Sequence, residues 1–117
     1  MSKIYTSYFS NLLKLKEKGI KPISIALLPP KWYAGEELRD LAPDGTIFIA
    51  YKEKLVSEER FKKFYEHKIK KIGKERILAM IEEKANGRDV ALICFEHPND
   101  MCHRHILAEY LGIEEFK

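Results

Sequence analysis

The chain has 117 residues, 45% of them hydrophobic, with one Trp, six Tyr and six Phe, a size and apolar content that favour one domain around one core. Its 21 basic residues are interleaved with 18 acidic ones, so the formal net charge is only +3, which suits solubility, excludes a uniform cationic field and gives no indication of a nucleic-acid partner. No apolar run approaches the ~20 residues of a bilayer-spanning helix, and two cysteines, Cys94 and Cys102, without a charged-then-apolar leader, lead us to expect a reducing cytoplasm and no structural disulfide.

Along the chain, Lys3 to Ser7 reads as a short strand, and Phe9, Leu12, Leu13 and Leu15 among lysines read as a short amphipathic helix ending at Gly19. Ile23 to Leu28 is apolar on both pleat faces, as in a sheet covered on both sides, and Pro29-Pro30 must end it. The stretch Lys31 to Asp44 reads as a loop with at most a short helix around Glu36 to Leu41. Thr46 to Tyr51 is a β-rich run and is expected to be a strand. Ser57 followed by Glu58 and Glu59 has the cap and acidic first turn of a helix. Phe61, Phe64, Tyr65, Ile69 and Ile72 give that helix a buried stripe opposite Lys62, Lys63, Lys70 and Lys71, and Gly73 breaks it. A second helix carries Ile77, Met80, Ile81 and Ala85 and ends at Gly87. Val90 to Phe95 is the best strand, and a polar loop then leads into a helix from His103 to Leu111, closed by Gly112.

The order β-α-β-β-αα-β-α predicts a single three-layer α/β domain, Rossmann-like, with a mostly parallel central sheet of about four strands flanked by helices. Ligands of such sheets bind outside the carboxyl ends of the strands, which selects three segments: Pro29 to Tyr33, Tyr51 to Lys54 and Glu96 to Arg104.

The third segment carries the chemistry. In Glu96 to His105 nearly every side chain has a polar or reactive head, directly after a strand that has none. A cap at Asn99 or Asp100 would turn free N–H groups of the first helical turn toward Cys102 and His103, where the dipole favours an anion or a thiolate. Arg104 adds a permanent bidentate donor, so His103 and Arg104 are the candidate ligand-binding residues for a phosphate, sulfate or carboxylate. The plainer alternative pairs Arg104 with Asp100 or Glu109. Cys102 is a candidate nucleophile, because a helix start with His103, Arg104 and His105 nearby enriches a thiolate, against the alternative of a small buried hydrophobe. Glu96 is a candidate general acid or base, or an orienter of a His or Arg, against a solvated strand end. Cys94, His97, Cys102, His103 and His105 offer five N/S donors within twelve residues. Cys94, however, sits inside the strand, and two helical residues two apart point ~200° from one another, so a metal is the minor alternative and no residue is assigned to one. Trp32 and Tyr33 are candidate ligand-binding rings beside the same edge, although core packing is the leading expectation for a sole Trp. The clusters Lys14 to Lys16 and Lys68 to Lys74 carry nearby glutamates and read as solvated helix faces.

Cys94-Phe95-Glu96 followed by Cys102-His103-Arg104-His105-Ile106-Leu107-Ala108 resembles the signature of the domain of unknown function 488 family. Tyr5 to Phe9, Pro22 to Ile25, Pro30 to Gly35 and Leu41-Ala42-Pro43 extend the likeness over almost the whole chain. The resemblance implies a small α/β domain with a polar cluster at the end of the last central strand, and it implies no established activity. The broader family often ends its first central strand in an Asp-Val-Arg type sequence facing the Cys-His-Arg segment. Here that stretch is Ile25-Ala26-Leu27-Leu28.

These readings converge on a small protein that binds a phosphate-bearing or otherwise anionic ligand, a nucleotide or nucleic acid, at Glu96, Cys102, His103 and Arg104, as an enzyme or a binder, with no cofactor expected and a metal-binding site as a further alternative. The rival is a non-enzymatic interaction module in which the Cys-His-Arg cluster only ties helix to strand.

Overall fold

The computed structural model describes residues 2–95 and 103–117. Its sheet is built on β4 (Val90–Cys94), in which every residue is buried. Such a strand has no polar face to turn outward, so it takes the centre of a parallel sheet with side chains covered on both faces. It pairs on one side with β1 (Ile4–Tyr8) and on the other with β2 (Lys21–Ser24). The two-residue strands β3 (Glu36–Glu37) and β5 (Glu114–Glu115) close the edges, giving the order β3-β2-β4-β1-β5 with every pairing parallel.

Five helices flank this sheet among the described residues: α1 (Leu12–Glu17), α2 (Gly45–Lys52), α3 (Glu58–Ile72), α4 (Lys74–Ala85) and α5 (His103–Leu111). Val90 and Leu92 pack with Ile23, Ile25 and the inner faces of α3, α4 and α5, while Ala91 and Ile93 pack with Phe9, Leu15 and Ile20 on the opposite side. Each fully buried Ile or Leu contributes roughly 1.5–3 kcal/mol of hydrophobic transfer, so alternate residues of one strand hold two helical layers together. No helix among the described residues is long and apolar enough to cross a membrane.

The helix signals operate as local chemistry demands. Ser57 Oγ accepts from the Arg60 backbone N–H at 3.1 Å, with Glu58 and Glu59 in the first turn of α3. Phe61, Tyr65 and Ile69 form its buried stripe at i, i+4 and i+8. Phe64, expected in that stripe, is instead exposed. The left-handed cap of α4 is Asn86 (φ 51°), one residue before the expected Gly87.

Three expectations are corrected. Thr46 to Tyr51 is not a strand but the body of α2, because β propensity measures fit to a pleated, half-buried surface and this segment instead packs on α3, where Tyr51 stacks on Phe61 at 4.7 Å between ring centroids. The second central strand starts at Lys21 and ends at Ser24 rather than running from Ile23 to Leu28. Ser24 Oγ captures the Ala26 N–H at 3.2 Å and turns the chain out of the ladder. Glu36 to Leu41, read as a loop with at most a short helix, holds the strand β3 besides a short 3₁₀ helix at Arg39–Leu41.

Candidate functional site

With all strands parallel, the segments that follow β1, β2 and β4 emerge at one edge of the sheet. The start of α5 arrives there as well. His103, its first residue, is buried and spans two strand ends. His103 Nε2 lies 2.7 Å from the Ile25 carbonyl oxygen, and because a carbonyl only accepts, the ring carries its proton on Nε2. Nδ1 then faces the Cys94 thiol at 3.9 Å. Tyr65 packs edge-on against the imidazole with centroids 5.1 Å apart, and its hydroxyl donates to the Leu41 carbonyl. One histidine is thus fixed between β2, β4 and α3.

Arg104 is fully buried, with 0% of its surface exposed. Nη1 donates to Glu115 Oε1 at 2.6 Å, and the guanidinium lies 5.6 Å from the centre of the Tyr8 ring. His105 Nδ1 approaches the same carboxylate oxygen at 3.9 Å. Beneath this group Thr6 and Glu115 are direct register partners, and Thr6 Oγ1 and Glu115 Oε2 are buried without a hydrogen-bond partner among the described residues. Among the described residues, the carboxylate that Arg104 meets is Glu115 on an edge strand. Of the two partners expected from the sequence, Glu109 is exposed and Asp100 falls outside the described residues.

The third component is aromatic. Phe9, immediately after β1, is buried, and the rings of Trp32, Tyr33 and Phe95 surround it at centroid distances of 6.2, 5.3 and 4.9 Å. Trp32 is 65% exposed and Phe95 48% exposed, so the expected core packing of Trp32 is overturned: the two prolines before it carry the loop over Phe9 at the rim and leave most of the indole in solvent. Tyr33 is anchored through its hydroxyl to the Glu36 carbonyl at 2.7 Å. A Cβ at Gly35 would lie 2.5 Å from that hydroxyl oxygen, so only glycine lets the ring close over the turn. Burial, assisted by the carboxylates of Glu37 and Glu36, pushes the Tyr33 phenol up to about 12.

The structure thus brings His103, Arg104, Trp32 and Tyr33 to the carboxyl edge together with Cys94. Glu96 and Cys102, the candidate catalytic residues, and His97 lie outside the described residues. Tyr51 to Lys54, the remaining expected loop, is the end of α2 and its turn, not the continuation of a strand. Among the described residues no group of three His, Cys, Asp or Glu could hold a metal. Sequence reasoning missed Phe9, Tyr8 and Glu115. Tyr8 and Phe9 lie beyond the strand read as Lys3 to Ser7, and their place follows from the register of Tyr8 with Cys94, while Glu115 belongs to a two-residue strand that leaves no periodic signal.

An open, all-parallel sheet flanked by helices makes this an α/β protein. The chain belongs to the DUF488 family: the family model DUF488-N3a, described as the active DUF488-N3 subclade, matches residues 16–114. No curated protein and no solved structure matches it.

Proposed function

We propose that this protein, a single α/β domain, binds a phosphate-bearing ligand that also carries a planar ring, a nucleotide or a nucleotide-like end, at the carboxyl edge of its sheet. The observation that carries the reading is the exposed pair Trp32 and Phe95, both seated on buried Phe9, beside the start of α5. Exposed rings on a rigid base give a base a stacking surface worth roughly 1–3 kcal/mol. Lys31, exposed next to Trp32, and the first turn of α5 supply positive charge for the phosphate. Glu96 and Cys102, adjacent in sequence to Phe95 and His103, are the residues this reading assigns to act on such a ligand.

A second reading is favoured by one observation, the complete burial of Arg104 against Glu115. In it the Cys-His-Arg cluster ties α5 to the sheet and does not touch ligand. The two are separated by titration. Trp32 is the sole tryptophan, so its emission reports on the edge directly. Nucleoside monophosphates are expected to quench it and raise the melting temperature, while inorganic phosphate raises the melting temperature with less quenching. A panel of nucleotides and phosphate that neither quenches Trp32 nor shifts the melting temperature ends the first reading.

A further inference from the structure

Away from the carboxyl-edge ring cluster, the turn from α3 to α4 is a charged surface. Residues 66–76 hold five basic side chains against two acidic ones, an excess of three that equals the formal net charge of the whole chain, so the remaining residues are balanced. This excess borders a groove of about 640 Å³ between α3, α4 and the segment after β3. Phe64, His67, Lys68 and Lys71 line it from one stripe of α3 at i, i+3, i+4 and i+7. Arg39 and Arg76 face them from the other walls.

The two acids of the lining offset half of its four Lys and Arg charges and leave an excess of two. Asp40 and Asp44 also line the groove, but Asp44 is paired with Lys68 at 2.9 Å, and Arg39 is shared with Glu37 at 3.5 Å. Lys71 and Arg76 have no carboxylate within ion-pair distance among the described residues. Phe64 is 49% exposed in the midst of them, where an apolar ring gains nothing from the core and presents a π-face to solvent.

We propose that this groove binds single-stranded nucleic acid, with Lys71, Arg76 and Arg39 on backbone phosphates and Phe64 stacked on a base. Guanidinium forks match phosphate oxygens, and an exposed ring among cations is the device by which strands are held without sequence preference. An acidic peptide would satisfy the cations but would leave the ring without a stacking partner. The groove shares no residue with the Trp32, Tyr33 and Phe95 cluster, so the inference stands apart from the proposed edge ligand.

The test is fluorescence anisotropy of a labelled oligonucleotide of roughly ten nucleotides, with the whole chain. Binding is expected to weaken steeply with salt. The double variant K71A/R76A should lower affinity about tenfold and reduce the log–log salt slope by about 1.4, since each lost single-strand phosphate contact removes about 0.7. Phe64→Ala should weaken the oligonucleotide and leave inorganic polyphosphate unaffected. Lys16→Ala, on exposed α1, should change neither. All four substituted side chains are exposed, and an unchanged melting temperature confirms that each variant folds. Absence of salt-dependent binding, a double variant that binds as well as the parent, or tighter binding of poly-glutamate than of the oligonucleotide overturns the proposal. Nucleotide quenching of Trp32 is read separately and should be unchanged in K71A/R76A.

Discussion

Arg104 and Glu115 join the first turn of α5 to the outermost strand of the sheet, 2.6 Å apart, with the arginine wholly removed from solvent. Breaking a buried pair from one side strands a charge and costs roughly 3–5 kcal/mol. Arg104→Ala and Glu115→Ala are each expected to lower unfolding free energy by about that amount in urea titrations. The double replacement Arg104→Met with Glu115→Leu should recover much of the loss, because it removes both charges at once. A fully stable Arg104→Ala protein would show that the pair does not hold the helix.

His103 bridges β2 and β4 through one ring. Replacing it with Leu leaves the Ile25 carbonyl buried without its donor, an expected loss of about 1–3 kcal/mol. Gln keeps an N–H within reach and should cost less. Thermal melts of the two variants rank them, and equal losses would remove the carbonyl bond as the cause.

Tyr33 predicts an alkaline weakness with a defined sign. Its phenol stands at about 12 in the folded protein against an ordinary value of 10.0. Between those values the folded state keeps a proton that the unfolded chain gives up, so stability is full below pH 10.0 and declines as pH rises toward about 12. Solvent at the half-buried ring keeps the effect modest. Tyr33→Phe should flatten the decline, which stability measurements at two alkaline pH values, parent against variant, would register.

The exposed rings make the opposite kind of prediction. Trp32→Ala and Phe95→Ala remove side chains that are 65% and 48% exposed, so stability should fall by no more than about 1 kcal/mol. Nucleotide-induced thermal stabilisation should nevertheless disappear in both. Retained stabilisation in the pair would move the ligand elsewhere.

The central layers were legible from the sequence because Val90 to Cys94 and the stripe Phe61, Tyr65, Ile69 each obey a single period over their length. Thr46 to Tyr51 misled because its β-branched and aromatic residues score for a pleated sheet while α3 offers a helix a surface to lie on. The strands Glu36–Glu37 and Glu114–Glu115 were invisible, being two acidic residues each, defined wholly by the neighbour they pair with. Of the candidate site, His103 and Arg104 at the start of α5 could be singled out from composition. The rings converging on Phe9 could not, since their meeting depends on which strands are adjacent.

The edge strand β5 is held by more than its ladder. The Phe116 carbonyl accepts from Ser7 Oγ at 2.7 Å and Asn11 Nδ2 at 3.1 Å, and the Phe116 N–H donates to Thr6 at 2.7 Å. Residues 114–117 therefore act as a latch on a site whose rings come from earlier in the chain. Removing residues 114–117 would delete none of the rings around Phe9 and no member of the Cys-His-Arg segment, yet it would remove a carboxylate that Arg104 bonds and loosen the helix that carries it. Damage at residues 114–117 would then present as loss of the proposed binding at rings that it does not touch.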